Sequence, residues 1–221
     1  MYSERASMLP HVVAWQDAAS ATRERRILPD GCLDIIWQDG RVFVAGPDTT
    51  AQLGRPVPGS RMFALRFGAG TGPGVLGVPA SELVDRQVPL DALWPTTSVR
   101  PLSEAADPLA ALVAAARRRW VEPDRSVLGL FQLARAGRPV ASIATQCGLS
   151  SRQLQRRSNA AYGYGPKVLE RIFRLQRAVG LARRGSPFAS VSAEAGYADQ
   201  AHLAREVRAM AGVPLGVLIS S

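Results

Sequence analysis

The stretch VASIATQCGLSSRQLQRR, at residues 140–157, decides the fold of the C-terminal half because a second stretch repeats its pattern. The second stretch is FASVSAEAGYADQAHLARE, at residues 188–206. After the second glycine one extra residue enters, and the offset between the copies changes from 48 to 49 residues. The chain therefore repeats one short helical unit, in which the following positions coincide before that insertion: Ala141 with Ala189, Ser142 with Ser190, Ile143 with Val191, Ala144 with Ser192, and Gly148 with Gly196.

Each copy meets three requirements of a helix-turn-helix, in which two helices cross at roughly 90–120° over a short turn. A small residue, Ala144 or Ser192, lets the two helices approach closely. A glycine in the turn tolerates a positive φ. A leucine, Leu154 or Leu203, anchors the second helix on the first. An ordinary helical bundle also contains Ala and Gly, but two matched copies favour two helix-turn-helix units, at about residues 140–158 and 188–209.

Helical periodicity extends over the whole segment 123–221, with glycine and proline at the breaks. The predicted middle helix is about 28 Å long, close to the roughly 34 Å between successive major-groove faces of DNA. It could therefore hold two DNA-reading units on one face of a duplex. The seven predicted helices lie near residues 125–136, 140–147, 150–160, 166–184, 188–195 and 199–211, and after Pro214.

Polar side chains on the outward face of each second helix suit DNA. Arg and Gln are donors that read guanine and adenine edges in the major groove, whereas hydroxyls and further arginines suit phosphates. Plain solvation is the alternative for each residue, above all for His202. We expect base reading by Arg152, Gln155, Arg156, Gln200, His202 and Arg205, and weaker phosphate contacts by Ser150, Ser151, Arg157 and Arg208.

The charge distribution supports a polyanionic partner for the C-terminal half alone. The net charge is +9. Residues 123–221 carry 14 Lys and Arg against 5 acidic residues, whereas residues 1–122 carry 13 of each. The first half is therefore not a candidate for binding nucleic acid through its net charge.

The first half is predicted to be β-rich. The segment 32–46 reads as a hairpin around the turn QDGR, RMFALRF at 61–67 reads as a strand, and Gly and Pro punctuate the intervals. A β-sandwich or small barrel fits this pattern best. VPASELVDRQ suggests a short helix with Ser81 as its N-cap.

A change to helical spacing near residues 96–100 predicts a connecting helix at about 103–120, interrupted or started near Pro108. Its run of three arginines at 117–119 reads as a solvated face, with a phosphate contact as the alternative. The predicted fold class is thus α+β with two domains: 1–100 β-rich, 101–122 connecting, and 123–221 all-α.

The segments IATQCGLSSRQLQR, GPKVLERIFRLQRAVGLA and VSAEAGYADQAHLAREVRAMAGVP resemble the AraC/XylS family of transcription regulators. The resemblance implies seven helices and two reading helices in adjacent major grooves, with the DNA bent or strained between them. Ser158 and Val207 depart from it, because the family usually has Phe there and the smaller side chains thin the core. The ending GVPLGVLISS also lacks the usual aromatic–Arg close.

The first half, through RILPDGCLDIIW, MFALRF and LGVPASELVDRQVPLDALW, looks like an uncharacterised β-rich domain often found before AraC-type halves. In better-known relatives such a domain is a cupin-like barrel that senses a small molecule or dimerises. An effector is therefore expected at this domain, with Trp37, Phe43, Phe63 and Phe67 as candidate walls and core packing as the alternative for each.

Two other functions compete with this interpretation. An Ada-like DNA repair methyltransferase would use Cys32 as its methyl acceptor, but clustered zinc ligands to activate the thiol are lacking. A cupin metal site is equally poor, because His11 is the one histidine of this half, and GAGTGPG lacks the Lys-Ser/Thr of a P-loop. A nonspecific architectural DNA-binding protein would need charge but not paired reading helices.

We therefore expect a cytoplasmic transcription regulator, an activator or a repressor, that is not an enzyme and uses no metal or cofactor. No apolar run is long enough for a membrane span, the N-terminus lacks a signal-peptide core, and two cysteines fit a reducing compartment. The expected partners are double-stranded DNA and RNA polymerase. A small-molecule effector and a second copy of the chain, contacting through the 103–120 helix, are further candidates.

Overall fold

The computed structural model describes residues 2–18, 24–55 and 57–220. It confirms an antiparallel β-rich N-terminal half followed by an all-α C-terminal half. No helix in these ranges combines the length and apolarity needed to cross a membrane. The strands are β1 (Tyr2–Ala6), β2 (Val12–Ala18), β3 (Arg25–Ile27), β4 (Leu33–Gln38), β5 (Arg41–Ala45), β6 (Gln52–Gly54), β7 (Arg61–Phe67) and β8 (Gln87–Pro89).

Six of these strands form one antiparallel sheet in the order β1-β2-β7-β4-β5-β8, and β3 pairs with β6 in a separate ribbon. The sheet is open, with β1 and β8 at its edges. The predicted hairpin is β4–β5, in which Gln38 pairs with Arg41. Asp39 and Gly40 between them both have positive φ, 46° and 87°. A two-residue turn of that kind matches the right-handed twist of the strands, which is why the sequence Asp-Gly predicts it.

One face of the sheet is covered by helices. These are α1 (Gly72–Leu76), α2 (Thr96–Ser103) and α3 (Pro108–Arg118), with 3-10 turns at Ala80–Glu82 and Leu90–Ala92. Leu65 and Phe67 of the sheet and Leu112 and Ala116 of α3 are buried in one shared cluster. The predicted connecting segment 101–122 thus contains a helix that belongs to the core of the first half.

Local signals set the starts of these helices with one correction. Asp107 caps α3, its side chain accepting a hydrogen bond of 3.0 Å from the Ala110 amide, and Pro108 follows as the first helical residue. Ser81 as an N-cap is wrong: Pro79 occupies the cap position of that 3-10 turn and Ser81 lies inside it. Proline has no side-chain oxygen to accept from the amides of the turn, and the Glu82 amide donates instead to the Pro79 carbonyl at 3.1 Å.

The C-terminal helices fall within two residues of the predicted bounds. They surround a core in which Leu169, Ile172 and Leu175 of the long middle helix are fully buried. The helices are α4 (Arg125–Arg135), α5 (Val140–Gln146), α6 (Ser151–Tyr162), α7 (Pro166–Arg183), α8 (Phe188–Ala195), α9 (Gln200–Ala211) and α10 (Leu215–Ile219).

Candidate nucleic-acid interface

The first reading unit is formed by α5 and α6. Ile143 and Ala144 of α5 are buried against Leu154 of α6. Gly148 takes φ +62° in the turn, and the Leu149 amide donates to the Ala144 carbonyl at 2.9 Å, which closes the end of α5. A left-handed turn residue of this kind is strained with any side chain, so the glycine is required by the backbone.

The start of α6 is held by a capping box. The Ser150 hydroxyl accepts from the Gln153 amide at 3.3 Å, and the Gln153 side chain accepts from the Ser150 amide at 2.9 Å. Two of the amides at the helix start are satisfied in this way. The arrangement fixes the first turn of α6, from which Arg152 projects.

The second reading unit repeats this geometry in α8 and α9. Val191 and Ser192 of α8 are buried, as is Leu203 of α9. Gly196 takes φ +86° in the turn. Asp199 replaces Ser150 as the N-cap, its carboxylate accepting from the His202 amide at 2.6 Å. The repeat read from the sequence is therefore a repeat of structure, with a different residue at the cap.

The predicted base readers of the first unit are exposed. Arg152, Gln155 and Arg156 all face solvent, while Leu154 between them is buried. The Gln155 amide donates to the Asn159 side chain at 3.1 Å. Gln155 also lies against Gly165, where an added Cβ would stand 2.2 Å from its Nε2 atom. Within the described residues Arg152 and Arg156 make no hydrogen bond or ion pair, whereas Gln155 is held along its own helix.

The second unit places Gln200 and Arg205 on the exposed surface and His202 partly within it. The Ala198 amide donates to Nδ1 of His202 at 3.2 Å, and the ring stands edge-on to Tyr197 at 5.3 Å between centroids. Because Nδ1 accepts in this bond, a neutral His202 carries its proton on Nε2. This histidine supports the turn and has one donor left for another partner.

The predicted phosphate contacts divide into two groups. Ser150, Ser151 and Arg208 are exposed. Arg157 is instead half-buried, and it donates to the Ser126 hydroxyl at 2.7 Å and lies 3.8 Å from the Asp124 carboxylate. It ties α6 to the start of α4.

Ion pairs and hydrogen bonds hold the second reading unit and the end of α4 to α7, which is about 27 Å long at the ordinary helical rise. Arg171 of α7 pairs with Glu206 of α9 through two contacts of 2.8 and 3.3 Å. Arg177 donates to the Arg135 carbonyl at 3.0 Å and to the Ala195 carbonyl at 3.2 Å. It thereby joins the ends of α4 and α8. Sequence reasoning missed this arginine because a basic residue on a long helix gives no sign of its distant acceptors.

The two departures from the family pattern are accommodated differently. Ser158 is fully buried, and its hydroxyl donates to the Tyr164 carbonyl at 2.7 Å. Val207 is fully buried among apolar neighbours. A buried hydroxyl with a partner costs little, so each reading helix keeps a closed core behind it.

The comparisons with known proteins agree with this geometry. Residues 143–219 match a family described as a helix-turn-helix domain, and residues 10–89 match a family described as a domain of unknown function (DUF6597). A probable AraC family transcriptional regulator from Rhodopseudomonas palustris CGA009 is 23% identical, covering 44% of this chain and 96% of its own, with a TM-score of 0.39. Residues 143–219 form an AraC-type helix-turn-helix domain. As a protein with such a domain, the chain is a DNA-binding transcription regulator.

The fold of the whole chain is shared with ToxT from Vibrio cholerae. An apo ToxT variant from strain SCE256 is 10% identical, covers 96% of this chain and 98% of its own, and superposes with a TM-score of 0.50. Wild-type ToxT bound to an unsaturated fatty acid is also 10% identical, covers 94% of each chain and gives 0.45. No curated protein is a significant match. The arrangement of an antiparallel β-rich domain before a helical domain is therefore shared with a protein of very different sequence.

The β-rich domain contacts the C-terminal ends of both reading helices of the AraC-type domain. At α9, Arg26 donates to the Ala211 carbonyl at 2.8 Å, and the Ala51 amide donates to the Met210 carbonyl at 2.7 Å. These bonds satisfy carbonyls that a helix end leaves without intrahelical partners. Neither contact had a signal in the sequence, because they join residues more than 150 positions apart.

At α6, the contact is made by packing. Tyr162 is buried, and Gly163 after it takes φ +88° at a place where an added Cβ would collide with Val84 and Pro47. Farther along, the Gln176 side chain of α7 donates to the Pro29 carbonyl at 2.6 Å. The first domain thus touches both reading units and the helix between them.

The four aromatic residues predicted as effector walls lie on two faces of the sheet. Trp37 and Phe67 are buried beneath the helices, and Phe63 stands edge-on to Trp37 at 5.6 Å. Phe43 is half-buried on the opposite face. Three of the four are therefore packed together on the helix-covered face.

Cys32 has the environment of a structural thiol. Burial raises its pKa well above the usual value, and the negative charges of Asp30 and Asp34 add to the effect. A thiol of this kind stays protonated at neutral pH, which disfavours the methyl-acceptor role. No group of three or more His, Cys, Asp or Glu within the described ranges is arranged to hold a metal ion.

Proposed function

We propose that the protein is a sequence-specific transcription regulator that reads two adjacent major-groove segments through α6 and α9. The observation that carries the proposal is the pairing of exposed Arg and Gln side chains with a buried anchor on each reading helix. Arg152 and Arg156 stand exposed on either side of Leu154, and Gln200 and Arg205 stand likewise around Leu203.

The base contacts that we propose follow the exposed donors. Arg and Gln read guanine and adenine through paired hydrogen bonds in the major groove. His202 would contribute through Nε2 alone, since Nδ1 is occupied. We assign Arg157 to holding α6 against α4 rather than to the phosphate contact expected from the sequence. The base readers are Arg152, Gln155, Arg156, Gln200, His202 and Arg205, and the phosphate contacts are Ser150, Ser151 and Arg208.

The proposal extends to the cell and to partners. The regulator would act in the cytoplasm, contact RNA polymerase, and use no catalysis or cofactor. The β-rich domain would supply control by a small molecule, and a second copy of the chain is a further candidate partner. The single helix expected at 103–120 is α3 (Pro108–Arg118), separated by a turn from α2 (Thr96–Ser103). Support for control comes from the contacts of this domain with the ends of both reading helices.

Selection of bound sequences from random DNA tests this function. At about 150 mM salt, exposed charges separated by more than about 8 Å interact weakly, so enrichment reports on base recognition. Two enriched blocks are expected, with centres about one helical turn apart, near 34 Å. Binding that enriches no sequence and falls steeply with salt would contradict the proposal and favour an architectural DNA-binding protein.

A further inference from the structure

The three arginines at residues 117–119 have different environments in the structure, although the sequence predicts a solvated face for all of them. Arg119 stacks over the Trp94 ring at 4.4 Å from its centroid and is accounted for by that contact. Arg117 and Arg118, in the last turn of α3, line a groove between this helix and the edge strand β1. Arg5 of β1 lines the same groove from the opposite wall.

The groove has the size and lining of a small-molecule site. Its volume is about 820 Å³, within the 300–1,000 Å³ that is typical of ligand pockets. Ala14 and Leu109 are buried residues of its floor, and Val113 and the exposed Met8 line its sides. Met8 leaves 78% of its surface open to solvent. The body of the groove is thus apolar and partly uncovered.

The charge of the groove is unbalanced. None of Arg5, Arg117 and Arg118 has an ion-pair partner among the described residues, and no acidic residue lines the groove. The negative end of the α3 dipole favours arginines in its last turn, but it does not explain the arginine that faces them from β1. Guanidinium groups bind carboxylates through paired, charge-assisted hydrogen bonds. The lining therefore offers an apolar surface and a positive end to one ligand.

We propose that this groove binds a small amphipathic carboxylate, with its apolar chain along α3 and β1 and its carboxylate on the three arginines. A second copy of this chain is a poorer occupant, because symmetric pairing of this face would bring two sets of unpaired arginines together. Control of DNA binding by this ligand rests on the proposed function, whereas binding itself does not. The path would run from α3 to α4, whose cap Asp124 contacts Arg157 of the first reading helix.

Isothermal titration calorimetry, in which decanoate is added to the full chain, tests the proposal. Saturable binding is expected, and 1-decanol, which has the same chain without the charge, should bind at least tenfold more weakly. A double variant, Arg117→Ala with Arg118→Ala, should lose about tenfold or more in affinity, since each charge-assisted hydrogen bond contributes on that scale. The control Arg41→Ala removes an exposed arginine of the same domain outside the groove and should leave affinity unchanged.

A second pair of variants separates charge from shape. Ala114 is exposed and lines the groove, so Ala114→Glu should fold and place a carboxylate three and four residues before Arg117 and Arg118, neutralising them. Ala114→Gln has the same shape without the charge and should weaken decanoate binding less.

Several results would overturn the proposal. These are an absence of saturable decanoate binding, equal binding of decanol, or equal loss in the double variant and Arg41→Ala. Sedimentation that shows a dimer broken by Ala114→Glu, without decanoate binding, would assign the face to a second copy. Loss of DNA affinity in the double variant, again without decanoate binding, would assign the arginines to DNA phosphates. DNA selection on the same wild-type preparation distinguishes these failures from failure of the proposed function.

Discussion

Replacement of Gly163 by alanine is expected to unfold the protein more readily than the same replacement at any glycine in open space. Gly163 ends α6 with φ +88° at the place where the β-rich domain packs against it. An added Cβ would lie 2.5 Å from Cγ2 of Val84 and 2.8 Å from Cγ of Pro47, and 3.2 Å from the Ala80 carbonyl oxygen. These are short or rigid groups, so relief requires the two domains to shift.

The magnitude follows from two contributions to the free energy of unfolding. A left-handed backbone costs about 1–2 kcal/mol for a residue with a Cβ. Forcing a methyl group into a packed site costs about 1–3 kcal/mol more. Gly185 provides the matched control, because it has φ +85° and nothing within 4 Å of an added Cβ. The backbone contribution and the gain from a stiffer unfolded chain are the same for both, so they cancel in the comparison.

Urea denaturation followed by circular dichroism gives the free energy of unfolding of Gly163→Ala, Gly185→Ala and the wild type. Gly185→Ala should lose about 1–2 kcal/mol, and Gly163→Ala should lose a further 1–3 kcal/mol or so. Equal losses in the two variants would refute the reasoning, because they would mean that the β-rich domain does not press on the end of α6.

Three further changes are expected to act on the DNA-reading surface, the domain contact and a buried carboxyl group. Arg156→Ala should cost about 1–3 kcal/mol of specific DNA binding and relax one base position in a selection experiment. Arg26→Ala removes the bond to the Ala211 carbonyl, so amide exchange at Ala51, whose N–H bonds the same helix end, should become faster. Asp48→Asn should alter the pH dependence of stability: burial, with the charge of Asp85, raises the pKa of Asp48 to about 6. The native state therefore binds more protons than the unfolded state between about pH 4 and pH 6, so wild-type stability falls as pH rises through that window; the variant should lack this loss and gain relative to wild type at neutral pH.

Each of these changes has a control and a contradicting outcome. For Arg156, a uniform loss on all DNA sequences would make it a phosphate contact. For Arg26, the neighbouring Arg25→Ala removes an arginine that pairs with Asp17 instead, and equal exchange at Ala51 in both variants would contradict the assigned contact. For Asp48, a constant difference in melting temperature between variant and wild type from about pH 4 to pH 7 would show that the carboxyl titrates normally.

The helical half could be predicted from the sequence because its signals are local. Helix starts and ends can be predicted within a few positions. Ser150, three residues before Gln153, indicates a start, and the glycine of each turn indicates an end. The repeat then predicts which helices pair: α8 packs with α9 because these two helices correspond to α5 and α6 of the first copy. The side chains expected to face outward on α6 do so, because exposure on a helix follows the position of its buried anchor.

The β-rich half could be predicted only where pairing is local. The Asp39-Gly40 turn indicates the β4–β5 hairpin directly. The pairing of β7 with both β2 and β4 brings Phe67 beside Val12 and Leu33, which no short-range pattern encodes. Proline at a cap position misled the assignment of Ser81, since a hydroxyl in the first turn looks like a cap in the sequence.

The contacts between the two halves could not be predicted from the sequence, because they join distant segments. The different environments of the three arginines at 117–119 could not be predicted for the same reason. Arg26, Arg119 and Arg177 are each one basic residue among many, and their acceptors or ring partners come from distant segments. A charge pattern indicates the sign of a partner but not which guanidinium groups are already engaged within the protein.

Assigning each block of the DNA operator to its own helix tests the central claim most directly. Arg156→Ala alters α6 and Arg205→Ala alters α9, and both side chains are exposed, so each variant should fold as the wild type does. Random DNA selected by wild type and by the two variants should show that each variant relaxes a different block, with centres about one helical turn, or 34 Å, apart. Two results would contradict the placement of two reading helices in adjacent major grooves. In one, both variants lose sequence preference in the same block; in the other, neither variant loses sequence preference in any block.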